Sequence, residues 1–168
     1  MAHAESARKL WDLIKNIKIG MLTTVHDDGT LHSRPMATQK VEFDGDLWFF
    51  TLRNSEKVFD VQKDRNVNLS YAAPDEHRFV SVTGRARVKV DREKAAELWQ
   101  PMLKAWFPKG LDDPDLALIR VKVDSAQYWD SSAAPIVHAI GFVKALAAGE
   151  RYQPGENDTL DFRRGWLR

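Results

Sequence analysis

In LWFFTLRNSEK, residues 47–57, an apolar run meets a helical pattern, and Thr51, Ser55 and Lys57 fall at the junction. A helix start presents unpaired N–H groups and a partial positive charge. Two hydroxyls and an ammonium group added there make a site for phosphate. The same residues also suit an ordinary N-cap at Asn54 or Ser55 beside a solvated lysine. A second group is His32-Ser33-Arg34-Pro35-Met36. A mid-strand arginine needs a partner or a route to solvent. Pro35 donates no ladder hydrogen bond, which frees backbone groups of Met36 and Ala37 for a ligand. A solvent-facing edge arginine is the other reading. A third group is Tyr128-Trp129-Asp130-Ser131 at a strand end, where Trp129 either covers a flat ring or packs in the core.

Other chemistries find less support. The five histidines, at 3, 26, 32, 77 and 138, show no metal-ligand spacing. Asp27-Asp28 and Asp112-Asp113 lack the spacing of a calcium loop. There is no cysteine, so disulfides and thiol chemistry are excluded. No GxGxxG, P-loop or GxSxG pattern occurs. Lys plus Arg number 25 and Asp plus Glu 24, a balance with no electrostatic footprint for nucleic acid. No apolar run approaches the roughly 20 residues of a membrane span, and residues 1–11 lack the apolar core of a signal peptide. The expected location is the cytoplasm.

These groups must be positioned by a mainly antiparallel sheet. Ser6 suits the cap of a first helix carrying Leu10, Trp11, Ile14 and Ile17, with Gly20 beyond its end. Strands are expected over 19–25, 31–43 (interrupted by Pro35), 47–51, 66–73, 79–90 and 118–129. Turns at His26-Asp27-Asp28-Gly29 and Asp44-Gly45 join the first three as hairpins. Helices are expected over 55–63, after Asp91 with a kink at Pro101, and as an amphipathic segment over 137–148 stopped by Gly149. Six strands on short turns, with helices set apart, suggest a small closed barrel. The 168 residues suffice for one domain with its own core.

In that order, IGMLTTVHDDGTLHSRPM, LWFFTLRNSEKVFDVQKDRNVNLSY, FVSVTGRARV and YWDSSAAPIVHAIGFVKALAAGERY resemble the pyridoxamine 5′-phosphate oxidase superfamily, in particular its bacterial general stress proteins. The resemblance covers roughly residues 8–152. It implies a six-stranded antiparallel split β-barrel with flanking helices, residues 1–150, followed by a polar tail, 151–168. It implies a homodimer with FMN at the subunit interface, FAD being the alternative flavin. By resemblance, Arg34, Thr51, Ser55 and Lys57 grip the flavin phosphate, Pro35 and Met36 line the ring, and Trp129 and Ser131 reach over from the partner subunit. Members that oxidise pyridoxamine phosphate carry a basic residue where this chain has Glu56 and a lysine where it has Gln39. Their arginine-rich C-terminal closure is not matched by TLDFRRGWLR. The resemblance therefore implies a flavin-binding general stress protein, a weak flavin oxidoreductase at most and not a dedicated pyridoxamine phosphate oxidase. A flavin carrier or sensor without turnover, and a haem-binding barrel, are the rival readings.

Overall fold

The computed structural model describes residues 2–39, 43–131, 135–151 and 155–163. Seven strands form one antiparallel sheet: β1 (Ile19–Val25), β2 (Leu31–Ala37), β3 (Asp46–Leu52), β4 (Asn66–Ala73), β5 (Arg78–Lys89), β6 (Leu116–Asp130) and β7 (Glu156–Asp161). Four α-helices accompany them: α1 (Ala2–Ile14), α2 (Glu56–Lys63), α3 (Arg92–Leu98) and α4 (Pro135–Ala148). The strand order is β2-β1-β4-β5-β6-β3, with β7 pairing β6 as well. The outer strands β2 and β3 approach each other without pairing, so the sheet curls into a barrel left open along one seam. This is the expected split barrel.

Alternation builds the interior. Val67, Leu69 and Tyr71 of β4 face inward, as do Val80, Val82 and Ala86 of β5. Leu10, Leu13 and Ile14 of α1 close one end. Strand β3 is buried on both faces, which explains its continuous apolar run. Leu47 and Phe49 enter the barrel core. Phe50 joins a second core with Ala95, Leu98, Leu103, Leu116 and Leu118, under α3 and a 3-10 turn over Pro101–Ala105.

Several sequence expectations need correction. Helix α1 begins at Ala2, so Ser6 lies inside it rather than capping it. Gly20 lies beyond the end of α1 and inside β1, as expected, and a methyl group there would stand 2.7 Å from the Tyr71 ring. Strand β2 stops at Ala37, and residues 40–42 of the longer strand expected there lie outside the described residues. Pro101 separates α3 from the 3-10 turn instead of kinking one helix, because Pro101 supplies no N–H to continue the ladder. The tail supplies β7, which occupies the edge of the long β6 beyond β3. Phe162, fully buried, anchors it edge-on to Phe43. Residues 164–168 lie outside the described residues. No described helix is long and apolar enough to cross a membrane.

Candidate functional site

Strand β2, the β3–α2 junction and the 3-10 turn enclose a cavity of about 470 Å³. That volume falls within the roughly 300–1,000 Å³ of small-molecule sites. Pro35 and Met36 come from β2, Thr51 from β3, and Ser55 and Lys57 from the start of α2. Five of the eight residues expected to bind the ligand therefore line one cavity. Leu103, Trp106 and Phe107 from the 3-10 turn and the residues after it also line it, together with Phe50 of β3, and Ile19 and Gln39 beside β2.

The local fold explains the polar end. Burial of LWFF on both faces fixes Thr51, only 2% exposed, at the end of β3. The chain then reverses: the Ser55 N–H and its Oγ both donate to the Leu52 carbonyl, at 3.1 and 2.8 Å. Thr51 Oγ1 lies 3.0 Å from Ser55 Oγ. Ser55 occupies the N-cap position of α2, yet its side chain makes no capping hydrogen bond. The hydroxyl is turned back to Leu52, and among the described residues the first N–H groups of α2 have no side-chain partner. The ordinary N-cap reading of this turn is not the geometry found.

Electrostatics point the same way. Lys57 is half-buried and makes no ion pair among the described residues. Burial depresses its proton affinity first and the Arg34 guanidinium second, while Glu56 partly offsets them. A bound anion would reverse both penalties. Arg34 does not itself line the cavity. Its Nη1 donates to Thr24 Oγ1 at 2.6 Å and to the Leu22 carbonyl at 3.4 Å, and its Nη2 lies 3.4 Å from Asp60 Oδ2. Asp60 is 2% exposed. Burial works against its ionisation, but hydrogen bonds from Thr24 and His26 and the charge of Arg34 hold its carboxyl below the usual range. Arg34 is thus a pinned cation beside Lys57.

Trp129 and Ser131 stand elsewhere in the chain. Trp129 is 46% exposed and lies opposite Phe79 and Asn157 in the sheet. Ser131 is buried, and its N–H donates to the His77 carbonyl at 3.1 Å. The adjoining Ser132 lies outside the described residues. Neither Trp129 nor Ser131 lines the cavity of its own chain. The sequence does not reveal the wall of Leu103, Trp106 and Phe107, because its reading carries a kinked helix through Pro101 where the chain instead begins a 3-10 turn. The proline within that aromatic segment was the available signal.

Two expectations about neighbouring positions also change. Gln39 does line the cavity, with its Nε2 donating to the Ala37 carbonyl at 3.1 Å. Glu56 does not line it: its Oε1 lies 2.7 Å from His32 Nδ1. The carboxylate is engaged with the β1–β2 hairpin, so its repulsion of an anion in the cavity is weaker than the sequence suggests.

Comparison with known proteins is consistent with this fold. A family model described as pyridoxamine 5′-phosphate oxidase like matches residues 5–153. The protein bli-3 of Neurospora crassa is 34% identical over 142 residues, 79% of this chain. The chain spans only 66% of the length of that relative. The crystal structure of a general stress FMN/FAD binding protein from Xanthomonas citri matches with a TM-score of 0.67 at 30% identity, over 78% of this chain and 92% of that one. A candidate general stress protein 26 from Jannaschia sp. matches with a TM-score of 0.75 over 95% of this chain and 99% of that one. Its identity is 24%, so it speaks for the fold alone.

Proposed function

Because the chain belongs to the pyridoxamine 5′-phosphate oxidase like family, we propose that it is a flavin-binding general stress protein that holds FMN by its phosphate. The observation that carries this reading is the half-buried Lys57, without an ion pair among the described residues, beside a helix start whose N-cap side chain makes no capping hydrogen bond. The Thr51 and Ser55 hydroxyls and the start of α2 hold the phosphate with Lys57, while Arg34 adds charge from behind. Pro35 and Met36 pack against the ring system, and Trp106 and Phe107 exclude water from its other side. The bound flavin would supply electron and hydride transfer. Among the described residues, no histidine or carboxylate lines the cavity to act as a general acid or base. Weak flavin oxidoreduction is therefore the proposed activity, and FAD the alternative ligand. The absorption spectrum of the purified protein, with mass spectrometry of its released ligand, tests the assignment. Flavin bands and released FMN are expected; a Soret band would establish the haem reading instead. Oxidation of a reduced nicotinamide by the loaded protein separates an oxidoreductase from a carrier.

The proposed assembly is a homodimer that brings Trp129 and Ser131 of the partner subunit to the flavin. Phe79 and Trp129 are cross-strand neighbours, 44% and 46% exposed. Helix α4 adds exposed Ile140, Val143 and Leu146. Apolar surface of this kind marks an interface. Light scattering at micromolar concentration is expected to give twice the 19.2 kDa chain mass. A flavin-loaded particle of one chain mass would contradict the dimer.

Pyridoxamine phosphate should not be turned over at a useful rate. Its phosphate needs cations beyond those given to the flavin. Among the described residues lining the cavity, Lys57 is the one cationic side chain, and Gln39 is neutral. Loss of one charge-assisted contact costs about 1.5–3 kcal/mol, or roughly one to two decades of binding. The assay follows pyridoxal phosphate under air with the flavin-loaded protein. Turnover on the order of one per second, ordinary for a dedicated enzyme, would contradict the expectation.

A further inference from the structure

We propose that Arg65, Arg85, Arg87, Arg120 and Lys122 form a binding site for a diphosphate or triphosphate group on the outer face of β5 and β6. The five side chains line one cavity of about 330 Å³. It shares no lining residue with the cavity between β2 and α2. Among the described residues, every side chain that lines it is cationic. A concave surface of one sign focuses the field and raises the local concentration of ions of the other.

The sheet itself assembles the cluster. Arg85 and Arg87 alternate with buried Gly84 and Ala86, and Arg120 and Lys122 with buried Ile119 and Val121, so all four stand on the outer face. The antiparallel register sets Arg85 opposite Lys122 and Arg87 opposite Arg120. Directly opposed residues have Cβ atoms about 4.5–5.5 Å apart, and like charges so placed destabilise a sheet. A polyanion between them turns that repulsion into attraction. Arg65, the residue before β4, joins the group because its carbonyl accepts from the Ala86 N–H at 2.8 Å, between Arg85 and Arg87. The β5–β6 register shifts between Thr83 and Gly84, just ahead of Arg85. A bulge of this kind re-aims the side chains beside it.

The charge balance sets the ligand class. Arg85 is engaged by Asp124, with Nε 3.3 Å from Oδ2 and Nη2 3.3 Å from Oδ1. Arg120 donates from Nε and Nη2 to Asp46 Oδ2, at 2.8 and 2.5 Å, and Asp44 acts on it from further away. Arg65 and Arg87 make no ion pair among the described residues. Positive charge is therefore in excess around the cavity. A phosphate monoester carries about −1.5 to −2 charge. Linked phosphate groups carry more, and they present oxygens to several guanidinium forks at once. An extended nucleic-acid chain needs a basic stripe or face. This chain has a bounded cavity and a near-neutral balance of 25 cationic against 24 acidic residues, which favours a compact polyphosphate.

Calorimetric titration of the full chain with inorganic triphosphate, ATP and orthophosphate tests the proposal. One equivalent of triphosphate should bind saturably, at least about tenfold more tightly than orthophosphate, and more weakly as salt is raised. Equal affinity for ATP would place recognition in the phosphates alone, and tighter binding of ATP would make a nucleotide the ligand; either supports the site. Arg65→Gln and Arg87→Gln should each weaken triphosphate about tenfold, the loss of one charge-assisted contact. Arg8→Gln, which alters an exposed arginine of α1, should leave the affinity unchanged. In the ligand-free protein Arg87→Gln should melt no lower than the unaltered chain, because it removes the repulsion from Arg120. Saturating FMN should not displace the triphosphate. Absence of saturable binding, equal losses in Arg8→Gln and Arg87→Gln, displacement by FMN, or tighter binding of a single-stranded oligonucleotide than of triphosphate would overturn the proposal.

Discussion

Lys57→Ala is expected to lower the affinity for FMN by one to two decades while leaving the fold intact. Lys57 is the cationic side chain lining the cavity among the described residues, and it stands on the second residue of α2. A charge-assisted hydrogen bond to phosphate contributes about 1.5–3 kcal/mol, which is roughly 10- to 150-fold in the dissociation constant. The free protein loses little on the substitution. Its ammonium is partly desolvated and repelled by Arg34, with no carboxylate paired to it among the described residues. Flavin fluorescence titration measures the affinity, and a thermal melt checks the fold. Unchanged affinity in a folded Lys57→Ala protein would place the phosphate elsewhere.

Gly84→Val destabilises the protein by about 3 kcal/mol, the upper range for forcing volume into a packed interior. Gly84 sits where the β5–β6 register shifts. A methyl group there would collide with the Lys122 carbonyl oxygen and stand 2.9 Å from Val121 Cγ1. The first obstacle is backbone, which cannot rotate away as a side chain would. For a chain of this size the melting temperature should fall by about 6–12 °C. Gly29→Ala is the control: nothing lies within 4 Å of the added carbon, so only its positive φ of 82° is strained. A left-handed residue costs about 1–2 kcal/mol. Urea denaturation of both variants measures the difference, and equal destabilisation would contradict the packing argument.

The barrel was legible where one local signal decided the outcome. Alternation in NVNLSYAA gave β4, and the apolar IGMLTTV before a turn gave β1. Thr51, Ser55 and Lys57 are close in sequence and one turn brings them to the cavity, but their local pattern suits an ordinary N-cap equally, and the phosphate role comes from the family resemblance. What escaped depends on distant partners. ENDTLD has no apolar alternation; it becomes β7 because β6 outruns β3 and leaves an edge to pair. The wall of Trp106 and Phe107 depends on where the chain resumes after Pro101. His26 and His32 flank a turn that was read correctly, but their stacking and the approach of Glu56 need the hairpin and α2 packed together. Trp129 and Ser131, expected beside the flavin, lie away from the cavity of their own chain, and their proposed role rests on a second subunit.

Side-by-side titration of the ligand-free protein with FMN and riboflavin tests the phosphate site most directly. The two ligands share the ring and the ribityl chain and differ in the phosphate alone. The account predicts that riboflavin binds at least about tenfold more weakly, a loss of about 1.4 kcal/mol or more. The difference should shrink in Lys57→Ala. Equal affinity for the two flavins would contradict a phosphate site at the start of α2.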